Sequence, residues 1–214
     1  DASDGSPRWS VQYPGAVTVA PRSDGDVVVA AWEAGKTTTV RALDTGSGAL
    51  RWEVGVGEIA AAPVLAGGVV VVAGGDTVHT GTARALDPAT GQERWRVPLA
   101  GFFDDAIESA ADGHTCYLVD GLGTVTALDL RSGAVLWQRA TGRSVVGRRA
   151  VLTATSVVFP TFADELVVLD RETGALRSAD LQPGVPIDVT PGAGRLIVAL
   201  RLGSPSRIEA RPEP

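Results

Sequence analysis

Three stretches of the 214-residue chain read almost alike: VRALDTGSGALRWEV from Val40, ARALDPATGQERWRV from Ala83 and VTALDLRSGAVLWQR from Val125. Each sets a Gly four residues after an Asp and a Trp eight residues after it, as Asp44, Gly48 and Trp52, then Asp87, Gly91 and Trp95, then Asp129, Gly133 and Trp137. A fourth copy keeps Asp170 and Gly174 but has Ser178 where Trp would stand, and the N-terminus supplies Asp1, Gly5 and Trp9. Successive Asp positions lie 43, 43, 42 and 41 residues apart, and one more step of that size ends near Pro212. A fixed period of this length marks a repeat architecture, in which each unit buries its apolar face only by stacking on its neighbours.

Within each unit the text breaks into short apolar runs such as GDVVVAAW, GGVVVVAGG and TCYLVD, separated by Gly, Asp and Thr turns and without helical periodicity. A β-rich unit of this size fits a four-stranded blade of a β-propeller, whose radial arrangement leaves only short edges. The segment from Asp to Gly suits the last hairpin of a blade. Its carboxylate can accept from backbone N–H groups two or so residues on, and its Gly supplies the positive φ of a tight turn. The Trp then opens the outer strand with a large face to bury against the next blade.

The phrase Ala-x-Asp-x-x-x-Gly-x-x-x-Trp resembles the tryptophan-docking motif of the PQQ-like, or quinoprotein-type, propeller repeat. It is matched at Ala42, Gly48 and Trp52, at Ala85, Gly91 and Trp95, and at Ala127, Gly133 and Trp137, with Trp9 in the N-terminal copy. The resemblance implies that each Trp is held between motif residues of neighbouring blades, and that the fourth copy, with Val168 and Ser178, is packed differently. The fold expected is an all-β propeller forming one domain over residues 1–214. The repeat count gives five blades, with Ala210 near the C-terminus and Gly5 and Trp9 near the N-terminus completing one shared blade; the alternative is an arc of a seven- or eight-bladed ring. The chain contains no methionine and is expected to be a piece of a longer product.

Catalytic templates find little support. Quinoproteins of this family hold their cofactor with a vicinal cysteine disulfide, a calcium site and a catalytic Asp, and this chain has the single cysteine Cys116. No cofactor and no metal are therefore expected. His79 and His114 lack metal-ligand spacing, no nucleophile-elbow sequence is present, and the glycines of DTGSG are followed by no phosphate-loop lysine. The formal net charge of −6 does not suit a nucleic-acid partner. No apolar run is long enough to cross a membrane as a helix. The expectation is a chain that is not an enzyme.

Candidate binding residues come from the stretch between each Trp and the next apolar strand. It is small and apolar in VGVGEIAAAPV, but carries Phe102, Phe103, Asp104, Asp105 and Glu108 in AGFFDDAIESA and Arg143, Arg148 and Arg149 in TGRSVVGRRAV. An acidic, aromatic wall facing a basic one, with Asp188 added, has the composition of a binding hot spot. The competing reading pairs the charges with each other and packs the rings. Asp104 and Asp105 alone are too few ligands to define a calcium site. Trp32 lies outside the motif, and loop packing is favoured for it over recognition. The resemblance to non-catalytic PQQ-like proteins implies an extracytoplasmic bacterial domain, periplasmic or cell-surface, that binds a protein partner of the envelope as a scaffold. The alternative function is a small-ligand sensor domain of a membrane-anchored protein.

Overall fold

The computed structural model describes residues 3–15, 17, 21–34, 37–57, 59–60, 63–77, 80–100, 108–145, 150–181, 184–201 and 206–213. Every element assigned there is a β-strand, and every pairing is antiparallel. The first sheet runs β1 (Arg22–Asp24), β2 (Val27–Ala34), β3 (Thr37–Asp44) and β4 (Leu50–Gly57) in sequence order. In the second, β5 (Ile59–Ala60) and β6 (Val64–Ala66) both pair with β7 (Val69–Thr77), which leads to β8 (Thr80–Leu86) and β9 (Glu93–Ala100). The third contains β10 (Glu108–Ala111), β11 (Thr115–Val119), β12 (Thr124–Asp129) and β13 (Val135–Ala140). The fourth contains β14 (Val151–Leu152), β15 (Ser156–Pro160), β16 (Glu165–Asp170) and β17 (Leu176–Leu181). The fifth holds β18 (Val185–Gly192), β19 (Arg195–Arg201) and β20 (Arg207–Pro212).

The chain divides into two compact units, Asp1–Asp104 with Leu130–Gly133, and Asp105–Asp129 with Ala134–Pro214. In the first, alternate residues of β2 and β3 (Val27, Val29, Ala31, Val40 and Ala42) join Val70, Val72 and Leu86 of the second sheet in one apolar cluster. In the second unit the fourth sheet is apolar on both faces. Val157, Phe159, Val167 and Leu169 pack with Tyr117, Val119 and Val125, whereas Val158, Leu166 and Val168 pack with Val189, Leu196 and Val198. This explains why β15 is buried at every position and reads as an unbroken run instead of an alternation. Burial of each such side chain is worth about 1.5–3 kcal/mol.

The repeated phrase builds the same hairpin four times. The Asp carboxylate accepts backbone N–H groups two and three residues on, from Gly46 and Ser47 to Asp44, from Ala89 and Thr90 to Asp87, and from Glu172 and Thr173 to Asp170. Gly48, Gly91, Gly133 and Gly174 end the turns at φ of 71, 72, 74 and 67°. The motif Ala faces the motif Trp across the strand pair: Ala42 opposite Trp52, Ala85 opposite Trp95 and Ala127 opposite Trp137. A bulge follows the Ala each time. In the fourth copy the bulge persists, and the pair becomes Val168 opposite Ser178. The larger aliphatic side chain there accompanies the loss of the indole.

Each indole reaches the next copy of the hairpin. Trp9 Nε1 donates to the Thr45 carbonyl at 2.8 Å, Trp52 to Pro88 at 2.9 Å, Trp95 to Leu130 at 2.8 Å and Trp137 to Arg171 at 2.9 Å. The acceptor is always the residue after the motif Asp. The rings lie so close on Gly48, Gly91, Gly133 and Gly174 that a Cβ there would fall 2.7, 2.7, 2.7 and 2.5 Å from an indole carbon. Glycine is thus required twice, by φ and by the ring. Beside Gly5, at φ 74°, the space is open.

Residues 3–15 and 17 contain no strand, and β20 is an edge strand of the fifth sheet as described. Ala210 lies opposite Ile197, the register that Ala42 holds opposite Val29. Trp32 is 3% exposed, against the Tyr13 ring at 5.0 Å and under the Arg41 guanidinium at 4.6 Å. It is a packed residue.

The glycine requirement is testable with a matched pair. Gly68 has the same φ of 72° as Gly91 but open space on its Cβ side. Gly68→Ala is expected to cost about 1–2 kcal/mol for left-handed backbone alone. Gly91→Ala is expected to cost at least ~1 kcal/mol more, through displacement of Trp52. Urea unfolding of both variants measures the difference.

Candidate interaction face

In the second unit, one set of loops is laced into a continuous surface by backbone bonds. Two turns contribute, Asp120–Thr124 between β11 and β12 and Thr161–Glu165 between β15 and β16, together with the connector Thr141–Val145 after β13. Asp120 shapes the first turn by accepting from Leu122 N–H at 3.0 Å and Thr124 N–H at 2.7 Å. Thr141 donates to the Gly123 carbonyl through both N–H and Oγ1, and Val145 N–H donates to Gly121. The Phe162 N–H in turn donates to Ser144 at 2.9 Å. Gly123 is needed at φ 70°, because a Cβ would meet the Arg143 carbonyl at 2.4 Å. At the matching place in the second turn Asp164 takes φ 57°, a left-handed conformation that a non-glycine residue adopts at a cost of about 1 kcal/mol.

Arg143 crosses between these loops. Its Nε meets Glu165 Oε2 at 2.6 Å, and an Nη donates to the Thr141 carbonyl at 3.1 Å. Two apolar side chains stand out from the laced loops: Leu122 is 47% exposed and Phe162 70% exposed. Neither was singled out from sequence, since DGLGT and PTFADE read as ordinary turns.

Of the residues chosen from sequence, Phe102, Phe103, Asp104, Asp105, Arg148 and Arg149 lie outside the described residues. Glu108 begins β10, with its backbone opposite Val119. Asp188 is exposed beside a bulge in β18, and its carboxylate accepts the N–H of Val189 at 2.8 Å. Arg143 is brought to Glu165, not to another member of the predicted set. His114 lies in an exposed turn, its N–H donated to Asp112. Cys116 is fully buried, and burial, then the nearby Asp112 charge, pushes its thiol up to about 12. A single buried thiol does not fit the vicinal disulfide of a quinone site.

The structure also reveals an element of the repeat that the sequence reading missed. In three of the four hairpin copies an Arg stands seven residues after the motif Asp and pairs with it. Arg51 meets Asp44 at 2.7 Å and also Asp26, Arg94 meets Asp87 at 2.7 Å, and Arg177 meets Asp170. The spacing is legible in the repeated phrase, where Arg51 and Arg94 stand one place before the Trp. The Arg94 hydrogen bond, helped by the Thr90 N–H, lowers the Asp87 carboxyl to about 2. Arg51 and Arg177 hold Asp44 and Asp170 well below the ordinary range.

A family model described as outer membrane protein assembly factor BamB matches residues 1–112 and 36–186. The chain belongs to this family of PQQ-like repeat β-propellers. Its sheets have the same fold as three solved structures. The computationally designed Ika8 protein is 15% identical with a TM-score of 0.72, over 90% of this chain and 57% of that one. BamB from Moraxella catarrhalis is 20% identical with a TM-score of 0.55, over 95% and 75%. The WD40 β-propeller domain of Doa1 is 17% identical with a TM-score of 0.57, over 83% and 58%. The chain thus spans little more than half the length of the Ika8 and Doa1 structures. No curated protein matches the sequence significantly.

The Asp–Arg pairs set an acid sensitivity with a definite sign. Their carboxyls are depressed in the folded chain, so the stabilisation is complete above the unfolded value and is lost as pH falls through the folded ones. The urea midpoint is expected to be flat near neutrality and to fall from about pH 4 towards pH 2. In Arg94→Gln the midpoint should start lower and lose less on acidification. Urea titrations of both proteins across this range check the expectation.

Proposed function

We propose that this chain is a non-catalytic propeller scaffold that docks a protein partner outside the cytoplasm, in the bacterial envelope. Membership in a family described as an outer membrane assembly factor supports the partner class and the compartment. The observation that carries a docking role is the laced face of the second unit, where Phe162 and Leu122 project from loops already held by backbone bonds. A rigid exposed aromatic loses little entropy on binding, so its burial converts efficiently into affinity. The Arg143–Glu165 pair beside it supplies a polar rim that fixes orientation more than strength.

A photo-crosslinking residue placed at Phe162 is expected to trap a component of outer-membrane protein assembly in envelope preparations. The same residue at Leu50, an equally apolar position 56% exposed on β4, is expected to trap none. Phe162→Asp should weaken the complex about tenfold or more while leaving the melting temperature unchanged. Equal crosslinking at both positions, or at neither, would count against the reading.

A further inference from the structure

The chain contains four Asp–Gly pairs: Asp4–Gly5, Asp24–Gly25, Asp112–Gly113 and Asp120–Gly121. Such a pair can rearrange without an enzyme, because glycine has no Cβ to shield its amide nitrogen from the carboxyl group before it. The reaction needs a carboxyl group free to turn towards that nitrogen. A carboxylate held by N–H donors is fixed in another direction and resists the protonation that the reaction requires.

Three of the four carboxylates are held in this way. Asp4 Oδ1 accepts the Ser6 N–H at 2.9 Å and the Ser6 hydroxyl at 2.7 Å. Asp112 Oδ1 accepts the N–H groups of His114 and Thr115, each at 2.7 Å, and its Oδ2 pairs with Arg171. Asp120 is 5% exposed, and its Oδ1 accepts from Leu122 and Thr124. Asp24 is exposed at the end of β1, and its carboxylate has no hydrogen-bond or ion-pair partner among the described residues. Gly25 beside it takes φ 58°, with open space on its Cβ side.

We propose that Asp24 is a site of spontaneous isoaspartate formation. The Gly25 amide nitrogen bonds to Asp24 Cγ, and the carboxyl hydroxyl leaves with the amide hydrogen as water, closing a five-membered succinimide. Water then opens the ring at the main-chain carbonyl carbon of Asp24, restoring the atoms lost. Gly25 is left attached through Cγ, so the main chain is one carbon longer at unchanged mass.

The place in the fold gives the modification a consequence. β1 and β2 are joined by two residues, Gly25 and Asp26, with Asp24 opposite Val27. Loop length sets the register of so short a hairpin, and an added carbon disturbs it. The same turn is tied to the first copy of the repeated hairpin: Thr45 N–H donates to the Asp26 carbonyl at 2.9 Å, and Arg51 pairs with the Asp26 carboxylate at 2.7 Å. Thr45 is also the residue whose carbonyl receives the Trp9 indole. Isoaspartate at Asp24 therefore loosens β1 and the turn that braces the Trp9 contact. The site lies in the first unit and does not depend on the docking role proposed for the laced loops.

Peptide mapping of the aged chain tests the proposal. The folded chain is held for weeks at neutral pH and body temperature and then digested. Electron-transfer fragmentation of the peptides tells isoaspartate from aspartate at equal mass. Isoaspartate is expected at Asp24 ahead of Asp4, Asp112 and Asp120, whereas the chain aged in guanidinium chloride should convert at all four. Asp24→Glu should lose the modification at this position and keep its urea midpoint through ageing, while that of the native chain falls. Ageing of the folded chain that leaves Asp24 unconverted, or converts Asp112 or Asp120 as fast, would overturn it.

Discussion

The indole lying on glycine is the contact from which the repeat is organised. It joins consecutive hairpins through one ring and one N–H bond, and it dictates much else locally. The glycine must lack a side chain, the residue across the strand pair must be as small as Ala42, Ala85 or Ala127, and the turn must present the carbonyl after the Asp. Where the indole is missing, at Ser178, the small residue is missing too, and Val168 fills the pair. The covariation within one chain argues that alanine is there for the volume of the ring and not for strand propensity, which would favour a β-branched residue throughout.

The Asp of the hairpin has two tasks on its two oxygens. One accepts the turn's N–H groups and the other accepts an arginine from the outgoing strand, so turn and strand are held by a single carboxylate. The arginine also adds a charge to an outer strand, and charged edge strands resist pairing with one another. Stability and resistance to edge pairing are thus supplied by the same side chain.

The laced loops of the second unit rest on this frame. A propeller's strands end in turns, and here the turns are joined by backbone hydrogen bonds from neighbouring connectors instead of standing free in solvent. Phe162 is therefore held in place without being buried. A preformed surface suits the docking role proposed for it, because a scaffold gains affinity from what it does not have to order.

The sequence by itself determined the hairpin and the glycine that it needs, because these depend on residues within nine positions of one another, and the return of that phrase every 41–43 residues determined the repeat and its period. It also excluded a vicinal disulfide, by composition alone. Only the tertiary structure decided which side chains reach solvent. Trp32 and Phe162 are both aromatic residues near turns, yet one is sealed under Arg41 and Tyr13 and the other stands free. Arg143 looked like part of a basic wall, and Glu165, twenty-two residues away, made it half of an ion pair. The exposure and pairing of these loop side chains are set by neighbours distant in sequence, and a repeat pattern carries no record of which neighbour a loop side chain will meet.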